Sequence, residues 1–243
     1  MTIGAELLLM LAIAGLYLYD SALLLYCNEA VLIPAGKDGW TVGFGSERFG
    51  AAGRELYVPN PFLLHRPLFR LSWKFENDGE VCAPSPLPRG AFSRLAPLPW
   101  IMAAALFVLF PLGFFTRLGD SILLPALILL FSSILTALAW LWRHRTEFDL
   151  SGGRFAGLAF ESIVCPPFAL NLIRHVALAM PIHEDLVSAA RRLQEASAWE
   201  QTRERLILRL VNEIELTEPG SARYELLEKR RQSLLGECAP CPS

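Results

Sequence analysis

Any chemistry in this chain has to come from a few polar residues set among apolar ones. Asp20 is the first, lying inside an apolar run over 5–26 and followed by Ser21. A carboxylate inside a bilayer marks an ion or proton path by default. Asp20 is about six residues from the end of its run, under ~10 Å by helical rise, so water at the interface can also reach it. His65-Arg66-Pro67 with Arg70, Arg143 and Arg145 around His144, and Arg174-His175 are three basic sets that suit a lipid phosphate near a membrane. With Glu161 they offer the groups a membrane enzyme would use on a headgroup: His65, Arg66, Arg70, Glu161 and His175. Cys238 and Cys241 have the spacing of redox and metal sites but stand without a second pair. Cys27, Cys82 and Cys165 have no partner at ligand spacing and read as packing residues. There is no GxSxG, HExxH or Walker loop, and Gly43-Phe44-Gly45 lacks the third glycine of a dinucleotide fingerprint. No catalytic residue, cofactor or metal site is therefore assigned.

The elements that must position these groups are largely apolar. Hydrophobic residues make up 53% of the 243 and charged residues 19%, with a net charge of −2. Mean hydropathy is +0.37. This excludes a disordered chain and, because Lys+Arg (22) balance Asp+Glu (24), a general nucleic-acid binder. Between 98 and 142 the only charges are Arg117 and Asp120, in a polar break that separates 98–115 from 121–142. Each half approaches the ~20 residues that cross a hydrocarbon core. The run at 5–26 reads as a third span. It is a retained anchor rather than a signal peptide, because Met1 to Glu6 has no Lys or Arg. Lys37, Arg89, Arg94, Arg143, Arg145 and Arg154 flank the spans on one side and Arg117 alone on the other. The positive-inside rule puts the six in the cytoplasm. The expectation is a multi-pass inner (plasma) membrane protein, N-terminus outside and C-terminus cytoplasmic.

The fold class expected is an α-helical integral membrane protein with three transmembrane helices, a small cytoplasmic β-rich domain, an interfacial helix and a C-terminal helical hairpin. Residues 1–27 hold the first span and 28–80 the β-rich domain, where eight aromatics lie between Trp40 and Phe75. Strands are expected at 29–33, 40–44, 54–58 and 68–75, the last alternating Phe69, Leu71, Trp73 and Phe75 on one face. Residues 81–97 form a Pro-rich connector and 98–142 the transmembrane hairpin. A β-hairpin at 146–161, turning at Ser151-Gly152-Gly153, is expected to join the cytoplasmic sheet. For 162–183 an interfacial helix, centred on 167–180, is preferred to a fourth span, since a central Arg costs ~2.5–3.5 kcal/mol. The tail 184–237 has nine basic and eleven acidic residues and reads as an αα-hairpin, leaving 238–243 as a short end.

The function expected from this pattern is a non-catalytic accessory or scaffold subunit of a membrane protein complex. Its partners would be membrane lipid and other membrane or cytoplasmic subunits, hetero- or homo-oligomeric, and not nucleic acid. Leu206, Leu210 and Ile214, four residues apart on one helix face, are the candidate docking stripe. Two alternatives stand beside it: an enzyme acting on a lipid or lipid-linked headgroup, and a transport or channel subunit using Asp20.

Overall fold

The computed structural model describes residues 4–36, 39–51, 53–73, 87–117 and 119–236. In chain order the elements are α1 (Ala5–Ser21), β1 (Leu23–Leu25), β2 (Glu29–Ala35), β3 (Gly39–Gly43), β4 (Ser46–Ala51), β5 (Arg54–Tyr57) and β6 (Phe69–Ser72). Helix α2 (Arg89–Phe115) follows, with a π-helical turn at Ala105–Leu109. Then come α3 (Asp120–Arg143), α4 (Gly152–Val164), α5 (Pro166–Ala169), α6 (Leu172–Ala179), α7 (Leu186–Leu193), α8 (Ala196–Glu215) and α9 (Ala222–Gly236). The chain divides into two compact units. The first holds residues 1–23, 56–69 and 86–181, and the second 24–55, 70–85 and 182–243.

In the first unit two helices are long and apolar enough to cross a membrane. Arg89–Phe115 has a mean hydropathy of 2.1 and Ser121–Arg143 one of 2.5. Of the most apolar 18-residue stretch of each, 28% and 33% is buried within the chain. Where they face each other and α5–α6, Met102, Ala105, Leu106, Leu130, Ile134, Ala137 and Leu141 are buried. Helix α2 begins at Arg89, nine residues before the expected span, so the end of the proline-rich connector is helical. Pro97 and Pro99 lie within it. In its first turn Phe92 meets Phe69 edge-on at 5.9 Å and Phe148 at 4.8 Å. Helix α1 has 17 residues and ends at Ser21, before the expected 26. Its Leu7, Leu8, Leu9, Leu11, Leu16 and Leu18 are all exposed.

Two expectations are corrected in this unit. Residues 146–161 form no β-hairpin: a turn ends at Leu150 and α4 begins at Gly152. Ser151, read from sequence as part of a strand turn, is instead a helix N-cap whose hydroxyl accepts from Arg154 N at 3.4 Å. Serine before glycines suits both roles, and only the helical spacing of Phe155, Leu158 and Ser162 separates them. The interfacial helix expected at 167–180 is two short pieces, α5 and α6, meeting at Leu170 and Asn171. Eight residues rise only ~12 Å, so neither piece is by itself long enough to cross a hydrocarbon core.

The second unit holds the strands and the charged tail. Two three-stranded sheets form, in the orders β1-β5-β4 and β3-β2-β6. The β2–β3 hairpin pairs Val31 with Gly43 through to Ala35 with Gly39, and Gly36 supplies the left-handed turn conformation (φ +55°). Trp40 and Val42 are buried and Thr41 is exposed, the alternation of a half-covered strand. Sequence reading anticipated one sheet completed by residues after 146. No such strand occurs among the described residues, and β1 and β4 take the places. The tail is three helices rather than two, because the expected long helix breaks at Gln194–Glu195. Leu186, Ala190, Leu206, Leu210, Leu227 and Leu234 are buried along it. Asp185 caps α7 through Val187 N and pairs with Arg230 of α9 at 3.0 Å.

Candidate functional site

Within the first unit, three segments far apart in sequence bring their polar groups to one place. The last turn of α1 contributes Tyr17, Asp20 and Ser21. The loop 58–66 contributes backbone carbonyls. The start of α6 contributes Asn171, Arg174 and His175.

Asp20 sits where a helix's own dipole disfavours it, since unsatisfied carbonyls make the C-terminal end negative. Its stabilisation comes from α6. His175 Nε2 lies 2.8 Å from Asp20 Oδ2, and Asn171 Nδ2 donates to the same oxygen at 2.9 Å. Asn171 Nδ2 is also 3.0 Å from Ser21 Oγ, while Ser21 Oγ donates to Tyr17 O at 2.8 Å. The spacing of α6 explains the convergence. Positions 171, 174 and 175 lie three and four apart, on one stripe of a helix.

Arg174 is the centre of the site, 2% exposed. Its Nη1 donates to Asn171 Oδ1 at 2.9 Å and to Ser21 Oγ at 3.3 Å. Its Nη2 donates to Asn60 O at 2.8 Å and Leu63 O at 3.1 Å. Burial holds the guanidinium below its usual pKa, while Tyr17, Tyr57 and Asp20 act the other way. The loop it grips is organised locally by Asn60, whose Oδ1 accepts from Phe62 N at 2.9 Å. Tyr17 ties α1 to the same loop, its hydroxyl donating to Pro61 O. Asn171 (1% exposed) and Ser21 (2%) are as deeply buried as Arg174.

The other sequence-derived candidates do not join this site. His65 lies beside α2: Trp100 Nε1 donates to its Nδ1 at 3.4 Å, the rings 6.2 Å apart. Burial, then the charges of Arg66 and Arg174, push the His65 imidazole below its ordinary pKa. Arg66 is half-buried in the same loop, whereas Arg70 is in β6 and belongs to the second unit. Arg143 is exposed, and Arg145 places its guanidinium 4.1 Å over the Trp142 ring. Glu161 is exposed on α4. Leu206 and Leu210 are 1% and 2% exposed, and Ile214 is half-buried, so the stripe read as a docking surface is covered by the chain itself. Cys82, Cys238 and Cys241 lie outside the described residues. Among the described residues no three His, Cys, Asp or Glu side chains gather as a metal site would require.

Sequence reasoning singled out Asp20, Arg174 and His175 separately and missed that they meet. Tyr17 and the carbonyls of Asn60, Pro61 and Leu63 were missed altogether. Tyr17 reads as one more interfacial aromatic, and backbone acceptors leave no mark in sequence. The signal that was present is the stripe Asn171, Arg174, His175, polar on an otherwise apolar helix. The chain matches no protein-family model, no curated protein and no solved structure.

Proposed function

We propose that this protein is a non-catalytic accessory subunit of the inner membrane that holds a water-facing unit of sheets and helices beside the bilayer. The observation that carries the reading is that the terminal nitrogens of Arg174 and the Asp20 carboxylate are taken up by groups of the same cluster, with Arg174 Nε buried and without a hydrogen-bond partner. Both terminal nitrogens of Arg174 are engaged twice. Asp20 is taken up by His175 and Asn171. Groups so engaged with one another join α1, the loop and α6, as a clamp does, and leave no free nucleophile between them. Helix α1, nearly bare of protein cover, acts as the third span, with N-terminus outside and tail cytoplasmic as the basic flanks direct. In the second unit the exposed Phe49, Leu208 and Leu216 replace Leu206 and Leu210 as side chains that a partner would cover.

Two measurements test this. Reporters inserted near Asp78 and after Ser243 are expected in the cytoplasm; an external Ser243 with an internal Asp78 overturns the topology. Purification in mild detergent is expected to recover a stoichiometric protein partner. Recovery of the chain alone, in a form that turns over phospholipid, overturns the accessory role.

One observation favours a second reading, a membrane enzyme acting on a headgroup. The His175 side chain is 28% exposed and Asp20 is 12% exposed. An aspartate orienting a partly open imidazole is the arrangement of a general base. Under that reading His175→Gln removes phospholipid turnover at unchanged abundance; under the clamp reading no such turnover exists to remove.

A further inference from the structure

Three arginines converge on a cleft in the second unit, well apart in sequence from the polar cluster. The cleft encloses about 350 Å³ between the segment entering β4 and the middle of α8. Phe44 and Ser46 line one side, and every charged residue among the described lining is an arginine: Arg48, Arg205 and Arg209. Arg205 and Arg209 are four apart on α8 and so point the same way.

Arg209 is built into the wall. Its side chain is 8% exposed. Its Nη2 donates to Gly45 O at 2.6 Å and lies 2.7 Å from Glu55 Oε2, and its guanidinium sits 4.9 Å over the Phe44 ring. The backbone comes close here: a Cβ on Gly45 would stand 2.4 Å from Glu55 Cβ. The other terminal nitrogen, Nη1, is buried with no hydrogen-bond partner. A buried, unpartnered N–H of a charged group is costly; other arginines among the described residues leave only an inner Nε so placed, whereas in Arg209 it is a terminal nitrogen of a residue that lines the cleft. Glu55 offsets one positive charge, so the three arginines present a net charge of two. A phosphate group carries about −1.5 to −2 at neutral pH and several acceptor oxygens, and planar guanidinium forks match it.

We propose that this cleft is a phosphate-binding site, with Arg209 as the fixed donor, Arg48 and Arg205 as closing donors and the Ser46 hydroxyl as a further contact. The phosphate belongs to a lipid headgroup or to a free phosphate-bearing solute. The test is isothermal titration of the full chain in a neutral detergent at low ionic strength, with inorganic phosphate and with dihexanoyl phosphatidate, and dihexanoyl phosphatidylcholine as the control lipid. Saturable binding of a phosphate probe at one site per chain is expected. R48Q/R205Q is expected to weaken it at least tenfold, since each charged hydrogen bond to phosphate is worth roughly that factor. R223Q, a surface change elsewhere in the unit, is expected to leave it unchanged. Equal affinity for both phosphate probes identifies a free phosphate ligand. Phosphatidate binding more than tenfold tighter identifies the headgroup. Each of these upholds the site. The single variants R48Q and R205Q, each expected to lose part of the affinity, keep the test decisive should the double variant not fold. No saturable binding of either probe, binding indifferent to the cleft arginines, or an equal loss in R223Q overturns it.

Discussion

Replacing Arg174 with methionine tests the clamp most directly. Methionine fills much of the volume of the arginine stem, so the change removes donors more than it opens space. Four hydrogen bonds go, to Ser21, Asn171, Asn60 and Leu63. They do not count at full value. The carbonyls of Asn60 and Leu63 each keep a turn bond, from Leu63 N and Arg66 N, and Asn171 keeps its contact to Asp20. Relief from burying a guanidinium also returns some free energy. The net loss is therefore near the lower end of the ~3–5 kcal/mol seen when a buried charged partner is removed. For a chain of 243 residues, ~3 kcal/mol corresponds to a drop in Tm of roughly 6–12 °C. The assay is thermal unfolding of the full chain in detergent, read by the fraction that stays monodisperse after heating. Arg174→Lys keeps the charge but cannot fork, and is expected to recover less than half of the loss. Arg154→Met is the control: that residue is exposed and makes one bond, to Ala179 O at 2.8 Å, so a shift within about 2 °C is expected. An R174M protein melting within 2 °C of the parent, or an R154M protein shifted as far as R174M, would refute the clamp.

Three further outcomes are expected. In a double-mutant cycle of Asp20→Asn and His175→Gln, contact at 2.8 Å predicts a coupling of at least ~0.5 kcal/mol, and additive losses would show that the pair does not interact. Leu206→Glu with Leu210→Glu puts two charges into the buried face of α8, so limited proteolysis should open the tail while α2 and α3 stay resistant; an intact, resistant tail would contradict their burial. His65 has a folded pKa below its ordinary value of about 6.5, so the unfolded chain binds the extra proton more readily. Its contribution to stability is complete above that value and is lost as pH falls through the folded pKa, when Nδ1 stops accepting from Trp100. Tm measured from pH 8 to pH 5 should fall less in His65→Gln than in the parent, and equal falls would assign the pH effect to other groups.

What the sequence made legible follows from how local each signal is. Residues 98–142 announce two long apolar helices because composition alone sets a span, and a hairpin over 29–43 because Gly36 and the alternating Trp40 and Val42 are neighbours in the chain. Residues 68–73 likewise put Phe69, Leu71 and Trp73 on a covered face. Failure came where one short string fits two structures. Ser151-Gly152-Gly153 turns a strand or starts a helix with equal ease, and here it starts a helix capped by the Ser151 hydroxyl. Strand β4, Ser46–Ala51, was missed because Ser, Glu and Gly within it have low strand propensity and pairing with β5 supplies what propensity does not. The spacing of Leu206 and Leu210 marks an apolar face that must be covered, but periodicity does not say whether a partner or the rest of the tail covers it; in the structure both are buried.

Asp20 shows the same limit for the site. Inside an apolar run an aspartate is ambiguous, because its meaning depends on its partner and not on its neighbours in sequence. Its partners here are 151 and 155 residues away, on a helix only eight residues long. That helix is too short to be stable alone and too polar on one side to enter a bilayer. Each element thus answers a defect in the other. The end of α1 presents a carboxylate that its own dipole disfavours, and α6 presents a basic stripe that apolar surroundings disfavour. Joined, the carboxylate accepts from Asn171 and lies against His175, and the loop 58–66 is held by the Arg174 guanidinium. The clamp is for that reason expected to form only after α1 and α6 are both made, which predicts that a chain truncated before Asn171 leaves the loop open to protease. A loop equally protected in that truncated chain would show that Tyr17 and local turns hold it without Arg174.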